Sequence, residues 1–177
     1  MCGRYSLSKS KIELEERFQA ELVADFNPRY NIAPTQLLPV ITSDSPKGFS
    51  FFYWGITPDF GQNKPVAQKL INAKAETINE KISFKGSFQK KTLPGSRRWF
   101  FLNGRNLEKR LRFPIALHLG TRLCLLLPGF GKNMRPSQGN LIILFLILTS
   151  QRNEVVGEIH DRMPVIISRD QEKKMAG

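Results

Sequence analysis

The stretch LIILFLIL, residues 141–148, is the longest apolar run in the chain. A helix that crosses a membrane needs roughly 20 apolar residues, so eight are too few for a membrane span. A run of this length is instead consistent with a buried strand, which we expect to reach Thr149.

Shorter β-rich segments lie on both sides of this strand along the chain. Residues 37–42 and 49–54 are separated by a turn-like cluster at 44–48, and this arrangement predicts a hairpin or meander. Residues 155–159 and 164–167 predict two further short strands around a turn at His160-Asp161-Arg162.

One helix is predicted near the start of the chain. Ser10-x-x-Glu13 has the form of a capping box, and apolar residues follow at helical spacing, so we expect a helix over residues 10–23. Residues 72–78 fit a helix or a strand equally well. Several short strands with few helices indicate the α+β class.

The chain has 177 residues, which suits one domain, and its net charge is +12. The excess lies in one block: residues 81–140 contain 13 basic residues and a single acidic one, Glu108. Such a block favours a polyanionic partner such as a nucleic acid. With only Cys2 and Cys124, the chain cannot be a disulfide scaffold, and a reducing cytoplasm is expected.

Cys2 is the most suggestive single residue. Removal of Met1 would leave it with a free α-amine and a thiol, whose ordinary pKa values are about 8 and about 8.5, so both are partly nucleophilic at neutral pH. A terminal aminothiol condenses with an aldehyde to a Schiff base and then closes a thiazolidine ring. An internal cysteine cannot close that ring.

Other polar residues suit acid–base chemistry or nucleic-acid contacts. His160 lies beside Asp161 and Arg162 and could transfer protons, or it could be a structural turn histidine. The segment 72–77 offers Asn72, Lys74 and a glutamate that could pair with Arg4 or Arg162; it could also be a solvated helix face. Residues 29–34 include an aromatic ring and Asn31, which suit an unstacked base as well as a structured loop.

Four motifs occur in order: MCGRY at 1–5, RYNIAPTQ at 29–36, WGITP at 54–58 with NAKAET at 72–77, and HDRMP at 160–164. Together they resemble the SRAP family of abasic-site processing proteins, over residues 1–80 and 141–168. The resemblance implies a mostly antiparallel, β-rich, barrel-like core with peripheral helices.

The resemblance also implies a function. A ring-opened abasic deoxyribose is an aldehyde, and Cys2 would capture it as a thiazolidine cross-link in single-stranded DNA. Asn72 would hold the sugar and His160 would move protons. Phosphate or base contacts would come from Arg4, Asn31, Lys74 and Arg162. Self-processing peptidase and lyase activities are implied as well.

The chain departs from the family's pattern in its centre and at its carboxy-terminal end. The family has a central Gly-Phe-aromatic-Glu-Trp segment, which is absent here. Residues 92–140 do not match, and we interpret them as a disrupted reading frame. The chain also ends at Gly177, before the family's carboxy-terminal elements, so we expect one SRAP-like domain over residues 1–177 with a truncated end.

Two other functions stay open. The basic block alone could make the protein a non-catalytic binder of single-stranded nucleic acid. A glutamine amidotransferase with a terminal nucleophile also begins Cys-Gly, but the sequence lacks the Asn-Gly-Asp-like signature. The leading hypothesis predicts a cytoplasmic monomer, associated with the nucleoid through DNA. It predicts no membrane contact, no cofactor and no metal, because the cysteines and histidines are too few and scattered for zinc.

Overall fold

The structure is a computed structural model that describes residues 3–42, 45–55, 70–78, 80–81, 105–106, 129–134 and 142–167. The strands in these ranges are β1 (Tyr5–Leu7), β2 (Arg29–Ile32), β3 (Leu37–Thr42), β4 (Ser45–Trp54), β5 (Asn72–Lys74), β6 (Arg105–Asn106), β7 (Gly129–Met134), β8 (Ile142–Gln151) and β9 (Arg162–Pro164). The helices are α1 (Lys11–Phe18), a 3₁₀ turn (Ala75–Thr77) and α2 (Glu154–Gly157).

The predicted buried strand is β8, and it is the centre of the larger sheet. One edge of β8 pairs in parallel with β4 and then with β5, while the other edge pairs antiparallel with β7 and then with β9. Leu144, Phe145, Leu146, Ile147 and Leu148 are each at most 7% exposed. Because both faces of the strand are covered, its sequence is continuously apolar instead of alternating.

The α+β class is confirmed, and the pairing is mostly antiparallel. The predicted hairpin is formed by β3 and β4, with Leu38 opposite Phe52. A smaller sheet has the order β2-β1-β6. Five of the seven pairings among the described strands are antiparallel. These strands form two open sheets, which the described residues do not close into a barrel.

Trp54 joins the two sheets. Its side chain is fully buried, and the ring of Tyr5 from the smaller sheet packs edge-on against it at 5.3 Å between centroids. The indole Nε1–H donates to the carbonyl of Ile71 at 3.0 Å. Gly55 follows at φ 114°, a left-handed conformation that favours glycine. Its N–H donates to the Phe145 carbonyl at 2.7 Å.

The capping box of α1 is confirmed, but the predicted length of the helix is wrong. The Ser10 hydroxyl accepts from the Glu13 N–H, and the Glu13 carboxylate accepts from the Ser10 N–H. The helix ends at Phe18 because Gln19 turns left-handed at φ 51°. Leu22 lies after the end of the helix but is still fully buried. Its backbone N–H donates to the Glu15 carboxylate.

Two predicted segments are wrong in type. Residues 155–159 do not form a strand: Glu154–Gly157 is helical, because the Asn153 side chain caps the first turn by accepting from the Val156 N–H at 2.9 Å. The cluster predicted as a turn at 44–48 is strand from Ser45 onward.

The other predicted boundaries move by a few residues. The last predicted strand, 164–167, begins earlier, at Arg162, which therefore belongs to the strand and not to the turn. The ambiguous segment 72–78 is strand β5 followed by the 3₁₀ turn.

The basic block lies mostly outside the described residues, which include only its residue 81, β6 and β7. Neither α-helix in the described part of the chain is long and apolar enough to cross a membrane.

Phe145→Ala tests the central position of β8. Phe145 is fully buried, so we expect the variant to lower the free energy of unfolding by about 3–5 kcal/mol in urea titrations. Ile12→Ala is the control, because Ile12 is 67% exposed on α1 and its loss should change stability by less than about 0.5 kcal/mol. Equal effects of the two substitutions would contradict this assignment of the core.

Candidate functional site

Arg162 is held by a two-pronged contact with Glu76. Its Nη1 and Nη2 each donate to a different oxygen of the Glu76 carboxylate at 2.8 Å. Nη2 also donates to the Thr149 carbonyl at 2.7 Å. The Arg162 side chain is only 14% exposed. A bidentate arginine–carboxylate pair fixes the orientation of both planes, so the guanidinium has a defined position.

The pairing of strands around the end of β8 explains why these residues meet. β5 and β9 lie on opposite edges of β8, and Thr149 pairs with Lys74 on one side and Pro164 on the other. The 3₁₀ turn after β5 brings Glu76 over the end of β8, where its carboxylate accepts from the Gln151 N–H at 3.0 Å. Arg162 lies on β9, opposite Gln151 of β8, and its side chain reaches Glu76 from the β9 edge of β8.

The hydrogen bonds keep Glu76 ionised. Those from the Arg162 guanidinium contribute most, and backbone N–H groups including that of Gln151 add to them, so the pKa of Glu76 falls from 4.5 to about 2. The carboxylate is 39% exposed, so solvent screens part of the attraction. The pair thus consists of two opposite charges at neutral pH.

His160 is bonded to the backbone of Arg162. Its side-chain Nδ1 accepts from the backbone N–H of Arg162 at 2.9 Å. The backbone N–H of His160 donates to the Val156 carbonyl at 2.8 Å, just after α2. A nitrogen that accepts an N–H bond carries no proton itself. The neutral imidazole therefore has its hydrogen on Nε2, which makes Nε2 a hydrogen-bond donor.

Asn72 is half-buried at the start of β5, opposite Ile147. The residue before it, Ile71, is fixed because its carbonyl accepts both from the Trp54 indole and from the Ile147 N–H. Tyr5 packs on the same indole, and burial raises the pKa of the Tyr5 hydroxyl well above its ordinary value. This packing ties the amino-terminal strand to the side of the sheet that carries Asn72.

The structure places the predicted site residues in two groups. Asn72, Lys74, His160 and Arg162 belong to the larger sheet or to the loop before β9. Arg4 and Asn31 belong to the smaller sheet region and contact each other, with Arg4 Nη1 donating to Asn31 Oδ1 at 3.3 Å. Cys2 lies outside the described residues.

Thr149 is a part of this group that the sequence analysis missed. It is 1% exposed, and its hydroxyl donates to the Ala73 carbonyl at 3.3 Å while accepting from Arg162 Nη2 at 3.3 Å. The available signal was a polar residue directly after the apolar run 141–148. The partner of Glu76, which the sequence left open between Arg4 and Arg162, is Arg162.

Chemically, the larger-sheet group offers an amide, an imidazole donor and two cations, of which Lys74 is exposed. Within the described part of the chain, no cluster of His, Cys, Asp or Glu could hold a metal ion.

Glu76→Gln tests the ion pair through its pH dependence. Since the folded state lowers the pKa of Glu76 from 4.5 to about 2, the pair stabilises the fold above about pH 4.5 and this contribution disappears toward pH 2. We expect wild type to be more stable than the variant at neutral pH, with the difference shrinking across that interval in denaturant titrations.

Glu16→Gln is the matched control. Glu16 is exposed on α1 and has no ion pair within the described residues, so this substitution should leave the acid dependence unchanged. A stability difference for Glu76→Gln that stays constant from neutral pH to pH 2 would contradict the ion pair.

The sequence of this chain is similar to the proteins of one family. The sequence pattern of the SOS response associated peptidase (SRAP) family matches residues 1–175. Abasic site processing protein YoqW of Bacillus subtilis is 29% identical over 98% of this chain and 79% of its own length. Abasic site processing protein YedK of Escherichia coli is 26% identical over 95% of this chain and 76% of its own length.

A solved structure has the same fold. A protein from Bordetella bronchiseptica superposes with a TM-score of 0.81 at 16% sequence identity, over 99% of this chain and 88% of that one. A likeness at this identity shows the fold, while the match of the sequence pattern over residues 1–175 shows the ancestry. The chain belongs to the SOS response associated peptidase (SRAP) family.

Proposed function

We propose that this protein processes abasic sites in single-stranded DNA and captures them covalently through Cys2. The observation that supports this most is the family match over residues 1–175, together with relatives that are themselves named abasic site processing proteins. The same motifs that identify the family contain the residues to which we assign roles.

The reaction proposed for Cys2 begins with removal of Met1, by self-processing of the peptidase kind. The free α-amine then attacks the aldehyde of the ring-opened sugar and releases one water to give a Schiff base. The thiol adds to the carbon of that C=N bond, its proton passes to the nitrogen, and the thiazolidine ring closes. An associated lyase activity would use the same Schiff base before the ring closes.

Asn72 and His160 are proposed to act on the sugar. Asn72 is half-buried and fixed through Ile71, which suits an amide that orients an oxygen. His160 presents Nε2–H as a donor because Nδ1 is already bonded. A donor directed at a sugar oxygen favours the ring-opened aldehyde, which is the form that reacts with an amine.

The proposed DNA contacts are made by exposed groups. Arg4, Asn31 and Lys74 are exposed and can reach phosphates or base edges without a change of the core. Arg162 is mostly occupied by Glu76 and Thr149, so its contact would use the second N–H of Nη1. The protein would act as a monomer on DNA in the cytoplasm.

A covalent adduct distinguishes this function from plain binding. We expect intact-protein mass spectrometry, after mixing with an abasic-site oligonucleotide, to show the protein without Met1 plus the oligonucleotide minus one water. Cys2→Ala should abolish the adduct, and Cys124→Ala, the other cysteine, should retain it.

The result that would overturn covalent capture is salt-sensitive binding by wild type without any adduct. The +12 charge would then favour the non-catalytic nucleic-acid binder. An oligonucleotide carrying a tetrahydrofuran analogue, which has no aldehyde, should bind without reacting.

Lys74→Ala tests the DNA contacts separately from the chemistry. Lys74 is exposed, so its removal should weaken binding to undamaged single-stranded DNA at every sequence and lower the slope of log affinity against log salt by about 1. Lys47→Ala is the matched control, since Lys47 is exposed on β4 and lies outside the proposed site. Equal loss of affinity in both variants would count against a specific contact at Lys74.

A further inference from the structure

Arg162 connects Glu76 and Thr149, at the end of β8, with His160 in the loop before β9. Its guanidinium is fixed from the β5 side by Glu76 and from β8 by Thr149. Its backbone N–H, at the start of β9, donates to Nδ1 of His160 at 2.9 Å. The same residue is thus anchored at its side chain and bonded to the imidazole at its main chain.

We propose that Arg162 is a positioning residue, and that the Glu76–Arg162–Thr149 contacts hold His160 as the Nε2–H tautomer, in which Nε2 is a hydrogen-bond donor. The role in catalysis rests on the proposed function. The tautomer of His160 can be tested without DNA. The proposal assigns roles to Glu76 and Thr149, two residues outside the predicted catalytic set.

The geometry explains how a side-chain contact controls a main-chain one. Arg162 is the first residue of β9, which pairs with β8 over only three residues. The few backbone hydrogen bonds of so short a strand hold its end weakly. The bidentate pair with Glu76 therefore supplies much of the restraint on the Arg162 backbone. Without it, the Arg162 N–H would no longer stay directed at Nδ1, and the imidazole could exchange its hydrogen between its two nitrogens.

The same geometry limits what His160 does in the resting protein. Because Nδ1 accepts from the Arg162 N–H, the hydrogen of the ring lies on Nε2. His160 then acts first by donating Nε2–H to an oxygen of the sugar, and only afterwards in proton transfer. Breaking the Glu76–Arg162 pair should therefore slow formation of the cross-link more than it weakens binding to DNA.

The first experiment reads the tautomer directly. The chain has two histidines, so His118→Gln leaves His160 as the only imidazole signal in ¹⁵N-histidine-labelled protein. Two-bond proton–nitrogen spectra near neutral pH distinguish a protonated nitrogen from an unprotonated one. We expect a single Nε2–H tautomer in this protein, and a mixture of both tautomers when Glu76→Gln or Arg162→Lys is added.

The second experiment reads the reaction. At saturating abasic-site DNA, Glu76→Gln and Arg162→Lys should each slow formation of the cross-link by about tenfold, and the double variant should also be about tenfold slower because the two residues act as a unit. Independent roles would give about a hundredfold loss. Glu76→Gln removes no proposed DNA contact, so it should change the affinity for DNA little. Glu16→Gln, on α1, should leave both the rate and the tautomer unchanged.

The outcomes separate this proposal from the proposed function. Mixed tautomers before any change at Glu76 or Arg162 would overturn it, and so would a single tautomer that survives both substitutions. The wild-type spectrum needs no variant, so mixed tautomers there would overturn the proposal even if the substituted proteins failed to fold. If the wild-type protein forms no adduct at all, the proposed function fails while the tautomer measurement still tests the role of Arg162.

Discussion

The pairing of both edges of β8 is the constraint on which the rest of the structure depends. Its one edge carries β4 and β5 in parallel and its other edge carries β7 and β9 antiparallel. A strand covered on both faces must be apolar throughout, which explains the run 141–148. Where that run ends, Thr149 and Gln151 provide the first polar contacts, and the candidate site begins at this point.

The site follows from this arrangement because its residues come from neighbours of one strand end. β5 brings Asn72 and Lys74, the following turn brings Glu76, and β9 brings Arg162. The bidentate pair between Glu76 and Arg162 closes this group across β8. Its stability depends on a carboxylate that stays charged and on a guanidinium with a flat, fixed shape, which a lysine would not supply.

Much of this could be predicted from sequence where the signal was local. The buried strand, the hairpin and the capping box at Ser10 each depend on residues close together in the chain. The strand predicted at 155–159 failed because the valines suggested β structure, while Asn153 capped a helical turn. The partner of Glu76 could not be chosen because it lies 86 positions away, and only the pairing of β8 brings it close. Thr149 was missed because a threonine in a strand is ordinary until its partners are known.

The proposed reaction joins the leading aminothiol to the sugar aldehyde at a site framed by Asn72, His160 and Arg162. Mapping of the cross-linked residue by tandem mass spectrometry after trypsin digestion tests it most directly. We expect the sugar remnant on the peptide Cys2-Gly3-Arg4 as a thiazolidine, without reductive trapping. A remnant found only on a lysine such as Lys74, and only after borohydride reduction, would contradict it.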